Sequence, residues 1–230
     1  MKSGALESRY LITKDLFMKN LIIIGAGGMG REIYDLSTQC DGYNKEYVIK
    51  GFLDDWNEAL NAFDGYPPII GTVLDYVIDP EDVFVCSLGD VELKKNCIEL
   101  ILDKGGDFLT LIHPTASIGY NSKIGRGCIV LMNAYIGADC IIEDFVLVQI
   151  AAIVGHDVKV GKYSRLDCNT LCVGGTEIKE EVSIHTSAVI NHKVVVGRKA
   201  QVGACSFVIR RVKENTTVFG NPAKKINSLL

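Results

Sequence analysis

Histidine is the residue type in this chain best suited to move a proton near neutral pH, and the chain has four. Only His156 is followed directly by a carboxylate, in the run Gly155-His156-Asp157. A neighbouring carboxylate stabilises the imidazolium that forms when a histidine accepts a proton, as a general base in acyl transfer must do. The same run also fits a turn that carries a solvated aspartate. The residues alone leave both interpretations open.

A glycine-rich turn is the second feature that could bind a ligand. Residues 21–24 predict a buried strand, residues 25–30 have the spacing G-x-G-x-x-G, and residues 31–36 predict the start of a helix. The glycines and the helix N-terminus favour phosphate charge. A complete dinucleotide fold would bind NAD, with Asp54 on the ribose, but residues 21–111 contain only half of such a fold. A mononucleotide such as UDP therefore fits better.

The elements around this turn predict a small parallel sheet. Residues 47–53 predict a second strand that ends at Asp54, and residues 83–88 a third that ends at Gly89. A helix through Leu93, Ile98 and Ile101 follows the third strand. Strands that alternate with helices form parallel sheets, whose ligands bind at the carboxyl ends of the strands.

Aliphatic residues then recur every six positions from Ile112 to Val208. Seventeen positions keep this register, and all except Cys172 are Ile, Val or Leu. A small or β-branched residue such as Ala152 stands four positions after each of the first sixteen. Neither the helix period nor the strand period produces a repeat of six, so the pattern predicts a solenoid of short parallel strands with three faces per coil. We expect the aliphatic residue to point inward and the small residue to allow the corner.

The repeat also predicts how the chain is divided. Residues 18–111 are the expected α/β domain, residues 112–208 the solenoid, and residues 209–230 a cap on its last coil. Residues 1–17 are treated as an extension, because Met18 stands directly before the first strand-like run.

The coil spacing also places the other histidines. His156 and His192 are expected to project from the same face two coils apart, and His185 lies in the same column as Asp167, 18 residues earlier. His113 is expected to have a positional role at the domain junction, and His185 to be a satisfied surface or interface residue.

Composition excludes several classes of function. With 24 Lys+Arg against 28 Asp+Glu and no long basic block, the chain lacks the charge that nucleic-acid binding requires. No apolar run reaches the length of a membrane-spanning helix, and the eight cysteines contain no Cys-x-x-Cys pair. We therefore expect a cytoplasmic protein with reduced thiols, no metal site, and no nucleic-acid or membrane partner.

These features together resemble a known family. Residues 112–208 resemble the left-handed parallel β-helix of the hexapeptide-repeat acyltransferases. With the glycine-rich turn, Gly-Phe-Leu-Asp-Asp at 51–55 and Gly-His-Asp at 155–157, the chain from Leu21 to Ile226 is similar to bacterial sugar-nucleotide acetyltransferases and the NeuD group of sialic-acid O-acetyltransferases. The resemblance implies a Rossmann-like α/β half domain followed by an all-β left-handed parallel β-helix. It also implies a homotrimer that binds acetyl-CoA between adjacent solenoids and a nucleotide-linked amino sugar in the N-terminal domain.

The resemblance assigns roles residue by residue. His156 becomes the base and Asp157 the residue that raises its basicity. The residues that would face the nucleotide-linked sugar are Gly27, Gly28, Met29, Asp54, Asp55, Gly89 and Asp90. Some family members have histidine in place of Met29. A methionine side chain cannot make the polar contact that a histidine would make at this position. The positions that match coenzyme A contacts are Arg165, Gly174, Thr186 and Ala204.

The expected function is acetyl-CoA-dependent N-acetylation of a nucleotide-linked, UDP-bearing 4-amino sugar by direct transfer. An O-acetyltransferase acting on a sialic-acid-type sugar would use the same base. A protein of another class, a non-catalytic trimer that binds nucleotide sugars, also fits the sequence.

Overall fold

The computed structural model describes residues 18–227. The N-terminal part of these residues forms an α/β unit. The expected extension at 1–17 and the end of the expected cap lie outside the described residues. The elements follow in the order β1 Lys19–Ile24, α1 Gly28–Gln39, β2 Tyr47–Leu53, β3 Ile69–Gly71, β4 Asp82–Cys86, α2 Val91–Asp103 and β5 Asp107–Phe108. The five strands are parallel and lie in the order β3-β2-β1-β4-β5. The sequence predicted three of them, because β3 and β5 are too short to show a period.

The apolar stripe of α2 differs from the prediction in one residue. Ile98 and Ile101 are buried as expected, but Leu93 is 51% exposed and Lys94 only 2%. Positions 94, 98 and 101 share one helix face because residues four and seven apart lie on the same side. A lysine therefore occupies the buried stripe.

The solenoid begins at β6 and has three faces. Each coil contributes one two-residue strand to each face. The first face contains β7 Ser117–Ile118, β10 Tyr135–Ile136, β13 Ile153–Val154, β16 Leu171–Cys172, β19 Val189–Ile190 and β22 Phe207–Val208. The second face contains β8 Lys123–Ile124, β11 Ile141–Ile142, β14 Lys159–Val160, β17 Glu177–Ile178 and β20 Val195–Val196. The third face contains β6 Leu111–Ile112, β9 Ile129–Val130, β12 Leu147–Val148, β15 Arg165–Leu166, β18 Ser183–Ile184 and β21 Gln201–Val202, extended by β23 Thr217–Phe219 and β24 Lys224–Ile226.

The corners of the coils are built differently from the prediction. The small residues do not form the corner: they point inward and are buried, as Ala134 and Ala152 show. Except at Thr115 in the first coil, the residue before each one turns the chain by adopting a positive φ, 58° at Asn133 and 59° at Asp157. Asn, Asp and Gly adopt this left-handed conformation at least cost and occupy about half of these positions. In the sequence, the recurring Asn, Asp and Gly residues therefore marked the corners of the coils.

The α/β unit packs against the lower part of the third face. The first residue of each strand on this face points outward, and Leu111, Ile129 and Leu147 form an apolar ladder that joins the α/β core. The next residues of the same ladder, Arg165 and Ser183, are polar. The α/β unit therefore covers the apolar part of the ladder, and the hydrophobic effect sets its height on the solenoid.

Lys94 anchors α2 at this junction. Its ammonium donates to the carbonyl oxygen of Phe145, a corner residue, at 3.1 Å and to that of Ser164, the buried residue after the next corner of the same column, at 3.4 Å. Burial lowers the pKa of Lys94 from 10.5 to about 8, because the charged form loses its hydration.

None of the eight cysteines forms a disulfide. Within residues 18–227, neither helix has the length and hydropathy needed to cross a bilayer.

The depressed pKa of Lys94 gives a pH dependence with a defined sign. Between about pH 8 and pH 10.5 the unfolded chain holds a proton that the folded chain has released, so the contribution of this side chain to the free energy of unfolding rises with pH. We expect the difference in that free energy, wild type minus Lys94→Met, to increase by about 2 kcal/mol from pH 7 to pH 10. Urea unfolding at both pH values measures it. Lys123→Met, at an exposed lysine, is the control and should give the same difference at both. A constant difference for Lys94→Met would contradict the assigned pKa.

Candidate active site

His156 and Asp157 stand together at one edge of the solenoid. Nδ1 of His156 lies 2.6 Å from Oδ2 of Asp157, and both side chains are about two thirds exposed. Adjacent residues on a strand would point to opposite sides, but Asp157 occupies the positive-φ corner position, which turns its side chain toward the imidazole. A carboxylate only accepts hydrogen bonds, so Nδ1 carries the proton and Nε2 presents a lone pair. The pair is arranged as a base whose free nitrogen is Nε2.

Gly174 stands one coil above His156 and makes room for its ring. A Cβ at Gly174 would lie 2.6 Å from Nε2 of His156 and 2.7 Å from Cε1. Any side chain there would displace the imidazole. Within residues 18–227 the N–H of Gly174 donates no hydrogen bond, so it is a free donor close to Nε2.

The glycine-rich turn and α1 form an anion-binding start of a helix. Gly27 precedes α1 and supplies no side-chain cap, and no acidic residue lies in the first turn. The first N–H groups of the helix, including those of Gly28 and Met29, therefore point outward without a partner in the helix. A Cβ at Gly30 would lie 2.1 Å from the carbonyl oxygen of Gly25, so only glycine fits there. The Met29 side chain packs against the α/β core.

The strand-end residues hold the loops around this turn. Asp54 accepts hydrogen bonds from the N–H groups of Ala26, at 2.7 Å, and Trp56, at 2.8 Å, so both of its carboxylate oxygens fix backbone. Asp55 is exposed and Asp90 caps α2 through the N–H of Leu93 at 2.8 Å.

Two clefts flank the carboxyl end of the sheet. A cleft of about 620 Å³ runs past Gly28 and Tyr66 beside α1. Another of about 350 Å³ separates Asp90, at the start of α2, from Ser183 and Gln201 on the third face. Each cleft is lined by one of the residues that the sequence assigned to the nucleotide-linked sugar, Gly28 in the first and Asp90 in the second.

Arg165 connects the two domains. Its Nε and Nη2 each lie 2.7 Å from an oxygen of Asp167, and Nη1 donates to the carbonyl oxygen of Gly89. The sequence predicted a coenzyme A contact here. In this chain the guanidinium is instead bound on three of its donors by its own neighbours and is largely buried.

The predicted residues fall into separate groups on one chain. His156, Asp157 and Gly174 lie at the edge between the first and second faces, which we call the histidine edge: Tyr120, Ala138, His156, Gly174 and His192. Thr186 and Ala204 lie at the edge between the third and first faces, which we call the threonine edge: Pro114, Met132, Ile150, Cys168, Thr186 and Ala204. The glycine-rich turn, Asp54 and Gly89 lie above the third face. One chain therefore does not bring the base together with the crevice and the threonine edge.

Comparison with known proteins agrees with both halves of the chain. Residues 20–101 match the family model described as the PglD N-terminal domain, and residues 107–201 match the one described as the GMPPB C-terminal domain. The acetyltransferase domain of PglB from Neisseria gonorrhoeae FA1090 is similar over 90% of this chain and 100% of its own, with 29% identity and a TM-score of 0.82. The predicted resemblance to the hexapeptide-repeat sugar-nucleotide acetyltransferases is confirmed. The predicted fold, an α/β half domain followed by a left-handed parallel β-helix, is confirmed.

Two further relatives show how far the likeness extends. The UDP-N-acetylbacillosamine N-acetyltransferase of Bacillus subtilis (strain 168) is 29% identical over 114 residues, which are 50% of this chain and 52% of that protein. The chain thus aligns with about half the length of this curated PglD-like relative. PerB from Caulobacter crescentus, solved in complex with CoA and GDP-perosamine, shares the fold with a TM-score of 0.82 at 23% identity over 92% of this chain and 99% of its own.

The sequence missed the polar network beneath Arg165. Asp167 accepts hydrogen bonds from Arg165, from Gln149 at 3.3 Å and from His185 at 3.3 Å. The 18-residue spacing placed Asp167 and His185 in one column, but the packing of the α/β unit decides that the carboxylate is buried. No group of three or more His, Cys, Asp or Glu residues within 18–227 is arranged to hold a metal ion.

The bridge formed by Arg165 gives a prediction for the Arg165→Lys variant. A lysine cannot bond both Asp167 and Gly89 in the same geometry, so we expect a loss of about 1–3 kcal/mol in the free energy of unfolding and faster amide exchange in residues 87–91. Denaturant unfolding and hydrogen exchange measure the two effects. Arg126→Lys, whose ion pair with Asp107 is exposed, is the matched control and should change stability by less than about 0.5 kcal/mol. Unchanged stability with weaker binding of coenzyme A would support the original assignment of Arg165.

Proposed function

We propose that this protein is an acetyl-CoA-dependent N-acetyltransferase acting on a nucleotide-linked 4-amino sugar by direct transfer. The observation that carries the proposal is the geometry of His156, whose Nδ1 is held by Asp157 at 2.6 Å while Nε2 stays free beside Gly174. Support for the substrate class comes from the names of the PglD-like relatives. The similarity to a UDP-sugar N-acetyltransferase favours UDP as the nucleotide.

In the proposed mechanism the sugar amine attacks the thioester carbonyl of acetyl-CoA while Nε2 of His156 takes its proton. The charge that forms on the imidazole is stabilised by Asp157. The N–H of Gly174 donates to the oxyanion of the tetrahedral intermediate, which is the role of an oxyanion-hole donor. The intermediate then collapses, the C–S bond breaks, and the imidazolium returns a proton to the thiolate of CoA. Nitrogen acquires the acetyl group and no acyl-enzyme forms.

The acceptor occupies the crevice of the α/β unit in this proposal. The start of α1, with Gly27, Gly28 and the N–H of Met29, binds the diphosphate through backbone donors and the helix dipole. Asp54 shapes this turn rather than contacting the ligand, since both of its oxygens bond to the backbone. Gly89, Asp90 and the exposed Asp55 follow strands that end at the same edge of the sheet, and in this proposal they lie near the acceptor.

We further propose that three copies complete the site. The outward residues of the first face form an apolar ladder that the α/β unit leaves uncovered: Tyr135, Ile153, Leu171, Val189 and Phe207. The histidine edge and the threonine edge bound this same face. Packing three first faces around a common axis would therefore set the histidine edge of one copy against the threonine edge of the next. Acetyl-CoA would lie in the gap between two copies, with His156 and Gly174 of one copy on one side and Thr186 and Ala204 of its neighbour on the other.

The cytoplasmic location of the protein stays a prediction.

Turnover tests the base. Acetyl-CoA is incubated with UDP-, GDP- and dTDP-linked 4-amino sugars, and release of the CoA thiol is followed. We expect His156→Ala to lower kcat roughly 10²–10⁴-fold, because general-base catalysis contributes that much, with the KM for acetyl-CoA unchanged. His192→Ala, on the same edge two coils away, is the control and should retain activity.

The other outcomes of this assay are also decisive. Full turnover by His156→Ala would show that another group is the base. A product that carries the acetyl group on a hydroxyl and not on the amine would make the protein an O-acetyltransferase. Binding of a nucleotide sugar without any release of CoA would favour a non-catalytic sensor.

Mixing two inactive variants tests the shared site. His156→Ala disables the histidine edge, and Ala204→Trp obstructs the threonine edge. Because each site takes one edge from each of two copies, random mixed trimers should recover about a quarter of the wild-type activity. Coexpression of the two variants, with light scattering to measure mass, checks this. A monomeric mass, or no recovery in mixed trimers, would place the whole site within one chain.

A further inference from the structure

The third face carries a second carboxylate–histidine pair that the proposed mechanism does not use. Oδ2 of Asp167 lies 3.3 Å from Nδ1 of His185, one coil above. The sequence predicted only a satisfied surface or interface histidine here. The surroundings of Asp167 point to a more specific role.

Asp167 is a fixed, buried anion. Its side chain is 6% exposed, and it accepts two hydrogen bonds from Arg165 and one from Gln149 in addition to that from His185. Burial alone would raise the pKa of Asp167, but the hydrogen bonds from His185 and Arg165 and the charge of Arg165 lower it below its usual value. A carboxylate that only accepts hydrogen bonds keeps the proton of His185 on Nδ1, so Nε2 presents a lone pair.

His185 lies beside the crevice of the α/β unit. Arg165 joins Asp167 to the carbonyl oxygen of Gly89, which follows β4 at the carboxyl end of the sheet. On the other side, Met29 in the first turn of α1 and Ile150 of the threonine edge pack against one apolar cluster. Through Arg165, the column of Asp167 and His185 lies next to the loop that follows β4 at the carboxyl end of the sheet. The imidazole is 29% exposed there.

We propose that His185 is a specificity-determining residue that binds the hexose of the nucleotide-linked sugar. Nε2 accepts a hydrogen bond from a hexose hydroxyl, and Asp167 is the positioning residue that fixes the ring and its tautomer. The diphosphate suits this position poorly, because a nitrogen lone pair repels phosphate oxygens, whereas the start of α1 offers N–H donors. This assignment rests on the proposed function, since it takes the crevice as the acceptor site.

Binding measurements separate the hexose from the nucleotide. Calorimetry is done with UDP and with a UDP-linked 4-amino-4,6-dideoxyhexose, or the GDP or dTDP pair if turnover selects that base. We expect His185→Ala to weaken binding of the nucleotide sugar roughly tenfold, as for the loss of one hydrogen bond, and to leave binding of the nucleoside diphosphate unchanged. His185→Gln should recover part of the loss, because its amide oxygen can accept the same bond. His192→Ala is the matched control.

Three results would overturn the assignment. Equal weakening of nucleoside diphosphate and nucleotide sugar would make His185 a structural or phosphate-binding residue. Unchanged binding of both by a folded His185→Ala variant would exclude a contact with the acceptor. Failure of the wild type to bind any nucleotide sugar would remove the crevice as acceptor site. Binding without turnover would instead contradict only the proposed acetyl transfer and leave the role of His185 supported, so the two failures are distinguishable.

Discussion

The stacking of one coil on the next is the constraint on which the rest of the structure depends. Strand pairing sets the coils roughly 4.8 Å apart, so each side chain competes for space with the residue eighteen positions later. His156 has a place for its ring only because Gly174 stands above it. At the same edge, a Cβ at Gly137 would lie 2.7 Å from the N of His156 and one at Gly155 2.7 Å from the N of Gly174. The glycines of this edge therefore leave room both for the backbone of the next coil and for the imidazole ring of the base.

The junction between the domains combines a non-directional contact with directional ones. The apolar ladder of the third face provides surface for the α/β unit to cover, which gives affinity without a unique orientation. Lys94 and Arg165 supply the orientation, because each bonds across the junction to particular carbonyl oxygens. Buried charges cost desolvation and stabilise little by themselves. Their effect here is to fix where Gly89 and the crevice stand relative to the solenoid.

The sequence predicted those parts of the molecule that local rules determine. The period of six shows the solenoid because every coil obeys the same packing requirement, and the pair His156–Asp157 needs only its own corner to form. Lys94 and Asp167 could not be assigned, because their burial results from one domain covering the other. The sequence also contains no sign that Asp167 and Gly89 would occupy three donors of Arg165. The assignment of Arg165 to coenzyme A stays a prediction. One sequence signal pointed to the burial of Lys94: it occupies the same helix face as the apolar residues Ile98 and Ile101.

The ladder of the third face also determines where the solenoid can change in length. The apolar ladder that the α/β unit covers, the Arg165 bridge and His156 all lie on the coils between β6 and β15, and Lys95 of α2 pairs with Glu181 just before β18. Adding or removing a coil within that span would leave every strand paired, yet shift the base by one full step relative to the crevice. Within residues 18–227, no hydrogen bond or ion pair joins the chain beyond β21 to the α/β unit. The solenoid can therefore gain or lose a coil without moving the base relative to the crevice only near its C-terminal cap.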